Sequence, residues 1–492
     1  MRLSGRISEN PNELLHREIL EPQFSYELKH LLPWYILIEK VMLLEYQRLN
    51  LLDKVAVNKI AHLLNQVTEK SLHADPKINM SDICFAIEQY VSQRLRADSA
   101  SWHMDRSRND VQACAQIMYA RQQLIVQSKE LIKLATSVCH LATKTVNIPL
   151  PGYTHYQTAQ IMTPGFYMAA VSEEILTTLE KLLYVYDNIN KCPLGAGAMT
   201  GVELGWDRKR MATLLGFNHY TNHALRAVAS RDWSLQIASE MANFSVFLSR
   251  IFTDFIQWGS SEYQFIDLAD QFSGISSAMP QKKNFTILER IRGKTAHISA
   301  FYFDFLIAQR NTPFTNLVET SKEAGTFVNT MFSTFNSLIK LVRMVIDNLE
   351  FNENKTLEVC KRDFFGGFSL ANKLTLHANI PFRSAQVIVG NYIVRVREQK
   401  LKPEQTDIRL LEEICIENGY DTKFEDEFLD DCFNVKNDLE NKISEGSTNP
   451  LQVKKMLVRQ SEQLIHLKKE WENREEVVNK AYEELTNQLY DR

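Results

Sequence analysis

Glycine and proline are scarce in this chain, 17 and 13 of 492 residues. Both interrupt helices, so their scarcity leaves long uninterrupted stretches and predicts a mostly helical protein. The seven cysteines (Cys84, Cys114, Cys139, Cys192, Cys360, Cys415 and Cys432) are odd in number, widely scattered and contain no C-x-x-C pair. Neither a disulfide framework nor a thiolate zinc site is suggested, and no metal is expected. The formal net charge is only −4 and no long basic run occurs, which argues against a nucleic-acid partner. No apolar run reaches spanning length, so no membrane partner is expected. The string M-R-L-S-G-R-I-S-E-N-P-N-E lacks an apolar signal core, and a cytoplasmic setting is the simple expectation.

What the chain does have is length and helical periodicity. From Val111 to Ile148 there is no Gly or Pro, and Ile117, Met118, Leu124, Ile125, Leu131, Ile132 and Leu134 recur at helical spacing. Similar runs cover Phe166–Asn190, the aromatic-rich Ser230–Trp258, Phe285–Arg310 and Leu317–Leu349. The fourth opens on Thr286-Ile-Leu-Glu289, a capping-box pattern. Leu31–Leu52 reads as a buried helix. Helices of about 30 residues span roughly 45 Å, more than the usual globular helix, which predicts bundle staves. The expected organisation is an N-terminal helical domain (1–110), a central long-helix bundle (111–350), a small C-terminal helical domain (351–450) and a C-terminal helical extension (451–492). Polar Gly/Pro-bearing loops separate the staves: Pro149–Pro164, Pro193–Arg208 and Gly259–Asn284.

Chemistry-bearing strings fall in or beside these loops. Ser273 to Asn284 reads S-G-I-S-S-A-M-P-Q-K-K-N. It is too polar for a core segment, and Pro280 keeps a helix from running through it. Hydroxyls therefore sit on a loop a few residues from fixed cations, an arrangement suited to a dianionic substrate; the alternative is a basic surface turn. In His103-Met-Asp-Arg-Ser-Arg-Asn-Asp110, the donors Ser107, Arg108 and Asn109 open a long helix, where dipole and free N–H groups favour an anion. The alternative there is a cap with solvated charges. Pro151-Gly-Tyr-Thr-His-Tyr-Gln-Thr-Ala-Gln160 carries His155 between Thr154 and Gln157, as a catalyst or as a surface histidine. Pro193-Leu-Gly-Ala-Gly-Ala198 reads as a turn for close backbone packing rather than as a nucleotide loop.

Taken together these strings resemble the argininosuccinate lyase pattern of the fumarase/aspartase superfamily. The Ser273–Asn284 loop is similar to G-S-S-x-M-P-x-K-x-N, and H-M-D-R-S-R-N-D to H-T-G-R-S-R-N-D. P-G-Y-T-H-Y-Q-T-A-Q looks like P-G-Y-T-H-x-Q-x-A-Q, and P-L-G-A-G-A like P-L-G-S-G-A. Ser230-Arg-Asp232 resembles D-R-D, and Pro381-Phe-Arg-Ser-Ala385 resembles P-F-R-E-A. The resemblance implies an all-α, three-domain fold whose long helices form a twenty-helix homotetramer core, with each active site shared among three subunits. It also implies an anti β-elimination that splits a C–N bond and releases fumarate without a cofactor. In that scheme Ser276 is the base, Lys282 the cation beside it and His155 the acid-side partner. Ser107, Asn109, Thr154 and Asn284 hold the succinyl carboxylates, beside Gln157. Arg108 positions the substrate or a subunit contact.

The half of the site that holds the amine departs from the pattern. The family run Y-N-K-D-L-Q-E-D-K-E corresponds to Phe314-Thr-Asn-Leu-Val-Glu-Thr-Ser-Lys-Glu323. A tyrosine hydroxyl is lost at Phe314, a charge is gained at Glu319, and Lys322 is retained. A substrate-contacting serine of the family aligns with Glu39, and its early histidine with Cys84. Glu39 and Glu319 are expected either to suit a more cationic leaving group or to be solvated.

Overall fold

The structure, a computed structural model, describes residues 6, 9–95, 101–425 and 427–490. Of the N-terminal string read for a signal core, residues 1–5, 7 and 8 lie outside the described residues. The fold is all-α. The longer helices before the staves are α1 (Glu21–His30), α2 (Leu32–Arg48), α3 (Lys54–Asn65) and α4 (Ile83–Ser92). The staves are α5 (Arg108–Lys144), α6 (Pro164–Ile189), α7 (Asp232–Trp258), α8 (Thr286–Gln309) and α9 (Val328–Asp347). Gly293 does not interrupt α8, because one glycine inside a long helix costs only about 1 kcal/mol.

Stave α5 is the axis of the molecule, with α6, α9 and the helix α13 (Pro450–Tyr490) packed along it. α7 runs beside α6 and α8, and α8 beside α9. One apolar cluster joins α1–α9 to α13. A second lies within 370–433, built on α10 (Gly367–Ala378), α11 (Phe382–Glu398) and α12 (Ile408–Glu417). The segment expected as a C-terminal extension packs along the staves: Val453, Leu467, Trp471 and Leu485 are buried against them. Arg474 pairs with Asp187 and Lys129 with Glu475.

Three local expectations are corrected. The run Leu317–Leu349 is not one helix: Val318–Ser321 and a turn at Glu323–Gly325 precede α9. Lys322 leaves helical angles (φ −126°, ψ −61°), and its ammonium reaches Glu27 at 3.7 Å. The Thr286–Glu289 pattern is not a capping box, since Thr286 is already helical and the residue before it, Phe285, has no capping side chain. The segment Pro149–Pro164 is not an irregular loop but holds an antiparallel hairpin of β1 (Leu150–Thr154) and β2 (Gln157–Met162).

The staves fix where each loop lies. At 1.5 Å per residue, the 37 residues of α5 span about 55 Å. Ser107 caps its N-terminus, and the hairpin follows its C-terminus. Gly165, at the start of α6, donates to Thr145 O at 3.2 Å. A Cβ there would stand 2.7 Å from Ala142 O, so only glycine allows this close crossing. α7 returns along α6: Trp258 stacks edge-on to Tyr167 at 4.9 Å, and Tyr153 meets Tyr263 at 5.8 Å. The Gly259–Asn284 loop therefore leaves from the hairpin end. α8 then runs back, where Gln309 bonds Ser234 at the start of α7.

Candidate active site

The expected site residues fall into three groups. The first lies at the N-terminal end of α5. Ser107 is the N-cap, its hydroxyl accepting from Asn109 N at 3.2 Å. The Asn109 amide donates to Ala198 O at 3.1 Å, which ties the helix start to the glycine-rich turn. Arg108 pairs with Asp82 at 2.6 Å and lies over the Phe85 ring at 4.6 Å. Phe314 and Glu319 are exposed at the same end, and Gln116 of α5 bonds Ser321 O at 2.7 Å.

Two acids adjoining these donors hold that end together, and the sequence reading gave neither a role. Asp110 is buried, and its Oδ2 accepts from Gly195 N (2.9 Å) and Gly197 N (3.0 Å). Gly197 has φ +63°, and a Cβ there would lie 2.5 Å from Gly201 O. Burial pushes the Asp110 carboxyl up to about 6, against the pull of the two glycine N–H groups. Asp105 accepts from Glu203 N, Leu204 N and the Trp206 indole. Those bonds outweigh its partial burial and hold it below the ordinary carboxylate range. The loop pays for this clasp in backbone strain: His103 has φ +74° and Asp105 φ +55°.

Glu39 is neither solvated nor open to a ligand, which corrects both expectations for it. It is 1% exposed and clasped by both terminal nitrogens of Arg106, one at 2.9 Å. Burial alone would raise its carboxyl, but the guanidinium outweighs burial and holds it low. His103, 3.9 Å away, is pulled down to about 3 by burial and by Arg106, so it is neutral at ordinary pH and Arg106 carries the effect. Glu319 remains exposed.

Arg231, the middle residue of the Ser230-Arg-Asp232 string to which the sequence reading gave no role, is a further group at this end. It is 4% exposed and bonds Gln116 Oε1, Val228 O, Ser230 O and Asn316 Oδ1. All four acceptors are neutral, and burial draws its guanidinium down to about 10. A buried cation held only by neutral groups is suited to meeting an anion. Lys322, by contrast, has a carboxylate: Glu27, itself buried, with its carboxyl raised by burial against the pull of Lys322. A lone Glu27 among ordinary helix residues gave no sequence signal.

The second group stands at the tip of the β1–β2 hairpin. Thr154 pairs with Gln157, leaving His155 and Tyr156 as a two-residue turn with φ +52° and +60°. Both positive angles mark a type I′ turn, which normally takes Asn-Gly. Thr154, His155, Tyr156 and Gln157 are all exposed.

The third group is a second hairpin. β3 (Gly274–Ile275) pairs with β4 (Lys283–Asn284), with Ile275 opposite Lys283. Ser276 and Lys282 therefore flank the neck of a seven-residue loop. The Ser276 hydroxyl accepts from Met279 N at 3.0 Å and from Ala278 N at 3.4 Å. Lys283 is neutralised by Asp267 (2.9 Å) and Asp270 (3.2 Å). Lys282 is exposed and forms no ion pair among the described residues.

One chain does not bring the group at the start of α5 to the two hairpins. The length of α5 separates Ser107 and Asn109 from the His155 turn. No hydrogen bond or ion pair among the described residues joins that turn to the Ser276 loop. No cluster of three His, Cys, Asp or Glu suited to a metal occurs among them either. No helix among them is long and apolar enough to cross a membrane.

Comparison with known proteins supplies context for this geometry. A family model described as a lyase matches residues 38–299. The argininosuccinate lyase of Methanothermobacter thermautotrophicus is 31% identical over 363 residues, covering 73% of this chain and 77% of that protein. Argininosuccinate lyase 1 of Shouchella clausii is 27% identical over 461 residues, 92% of each. Among solved structures, an EDDS lyase variant with bound fumarate superposes with a TM-score of 0.85 at 21% identity, covering 99% of this chain and 97% of that one.

Proposed function

This chain belongs to that lyase family, within the fumarase/aspartase superfamily, and from this premise we propose that it cleaves an N-substituted aspartate to fumarate and an amine. It is a carbon–nitrogen lyase; the assignment of substrate and residues is the proposal. Argininosuccinate, giving arginine and fumarate, is the first substrate in this reading.

The observation that carries the reading is the Ser276 hydroxyl, which already accepts two backbone N–H groups across the loop neck from Lys282. An ordinary serine cannot deprotonate carbon. Two N–H donors and a cation with no counter-ion among the described residues lower the cost of its alkoxide. The alkoxide takes the proton next to a substrate carboxylate. The electrons pass into that carboxylate as a dianionic aci-acid, then return to form the double bond as the C–N bond breaks. His155 assists the departing amine. Ser107, Asn109, Thr154 and Asn284 hold the carboxylates, and the developing charge is what these donors stabilise.

The length of α5 between the first group and the His155 hairpin supports a homotetramer in which each site draws on several subunits. The stave surfaces suit such an assembly: Tyr184 on α6, Val246 on α7, and Phe303 and Ile307 on α8 are more than half exposed.

A second reading, elimination of a different amine, has its own support. Glu39 stands where the family has a substrate-contacting serine, and it is sealed beneath Arg106. Phe314 lacks the hydroxyl found there in the family. A site stripped of such contacts discriminates against the original amine. Ultraviolet detection of fumarate from argininosuccinate, and from other N-substituted aspartates, tests both readings. Release from argininosuccinate supports the first; release only from another N-substituted aspartate supports the second; release from none overturns the proposal.

A further inference from the structure

Behind the His155 hairpin lies a cavity of about 650 Å³, within the range of small-molecule sites. Its walls come from four elements: the hairpin, the first turn of α6, the last turns of α7 and the segment 442–448. Thr154 and His155 of the elimination scheme stand on its hairpin wall, but none of Ser107, Asn109, Ser276, Lys282 or Asn284 lines it, and the scheme gives no role to its other three walls.

The lining is chemically specific. Tyr153, Tyr167 and Trp258 supply aromatic surface. Asp254 lies on the α7 wall, and its only side-chain hydrogen bond among the described residues is from the Tyr167 hydroxyl, at 2.6 Å. A carboxylate offers about four lone-pair sites, so most of its accepting capacity is free. Lys442 lies on the segment that leads into α13. Its ammonium donates to Asp438 Oδ1 (2.8 Å) and Asp438 O (3.3 Å), which leaves one of three N–H groups. Thr448 is 8% exposed, and its hydroxyl is buried with no partner. Buried polar atoms are nearly always satisfied, so an orphaned hydroxyl in a cavity wall points to a ligand.

A carboxylate with spare accepting capacity, an ammonium with one N–H left beside Asp438 and an apolar floor suit a zwitterion. We propose that this cavity binds a free α-amino acid, its ammonium on Asp254, its carboxylate on Lys442 and the Thr448 hydroxyl, and its side chain on the aromatic wall. Such a ligand would brace the β1–β2 hairpin from behind, so its binding would be linked to the position of His155.

Calorimetric titration of the full-length protein tests this, with succinate present to fill any site for dicarboxylates. The probes are arginine, lysine and aspartate, together with agmatine, which lacks the carboxylate, and N-acetylarginine, which lacks the ammonium. At least one free amino acid is expected to bind at millimolar concentration or below, and both truncated probes are expected to bind at least about tenfold more weakly than arginine or not at all. Asp254→Asn and Lys442→Met should each weaken amino-acid binding by about tenfold or more while fumarate release without the ligand is retained. If Lys442→Met does not fold, Asp254→Asn and Thr448→Val carry the test. No binding by any amino acid overturns the proposal. So does binding untouched by these substitutions, or equal binding of agmatine and arginine.

Discussion

Ser276 and Lys282 face each other across the neck of one loop, because Ile275 and Lys283 are paired immediately beneath them. The pairing sets the chemistry: a residue whose hydroxyl already accepts two N–H bonds stands across the neck from the one of two adjacent lysines that forms no ion pair among the described residues. Replacing Ser276 by Ala should lower fumarate release by about a thousandfold or more, within the range for a general base. Lys282→Met should cost about a hundredfold, and Lys283→Met far less. Steady-state fumarate absorbance checks all three. Equal effects at the two lysines would remove Lys282 from its assigned role.

The His155–Tyr156 turn holds two non-glycine residues at positive φ. Tyr156→Gly should relieve strain and raise stability by about 1 kcal/mol, read as the urea midpoint. His155→Asn accepts the same backbone angles readily, so the fold should survive while turnover falls. A loss of both together would mark His155 as structural.

The Glu39–Arg106 pair predicts an asymmetric mutational pattern. Glu39→Ala strands a buried guanidinium and should destabilise by about 3–5 kcal/mol, whereas replacing both residues by Met should cost much less. The folded Glu39 carboxyl titrates below its unfolded value. Its contribution is therefore present above the ordinary carboxylate pKa and is lost as pH falls through the lower folded one. Denaturation midpoints of wild type and the double variant should converge in that acidic window.

Asp110 behaves in the opposite sense. Its carboxyl is raised to about 6, so the folded state holds a proton that the unfolded chain has already released. Stability should fall as pH rises from about 4 to 6, by roughly 3 kcal/mol at 1.36 kcal/mol per unit, then level off. Asp110→Asn should flatten this slope in urea titrations across that interval.

Restoring the amine side should move substrate choice. Phe314→Tyr with Glu319→Gln returns a hydroxyl and removes a charge. If argininosuccinate is not the native substrate, this double variant should raise kcat/KM for it by about tenfold or more. An unchanged ratio between argininosuccinate and other N-substituted aspartates would show that these positions do not select the amine.

Much of the fold was legible because it rests on local rules. Ser107 could be placed at a helix start, and α5 through α8 could be bounded to within a few residues, since periodicity and the absence of Gly and Pro act over short distances. The break at Lys322 was not legible, because it follows the turn of a side chain toward Glu27, nearly 300 residues away in the chain. The same holds for Glu39, whose alignment says only that a carboxylate replaces a serine. Arg106 decides what that carboxylate does, and it arrives from another element.

The sequence by itself determined that this is an all-helical lyase of the fumarase/aspartase superfamily, because motif order and helical periodicity are properties of the chain alone. Only the tertiary structure decided that Ser107 stands the length of α5 away from His155, that Glu39 is sealed by Arg106, and that an aromatic cavity backs the hairpin. Those are distances across the fold, and they depend on which long helix runs beside which.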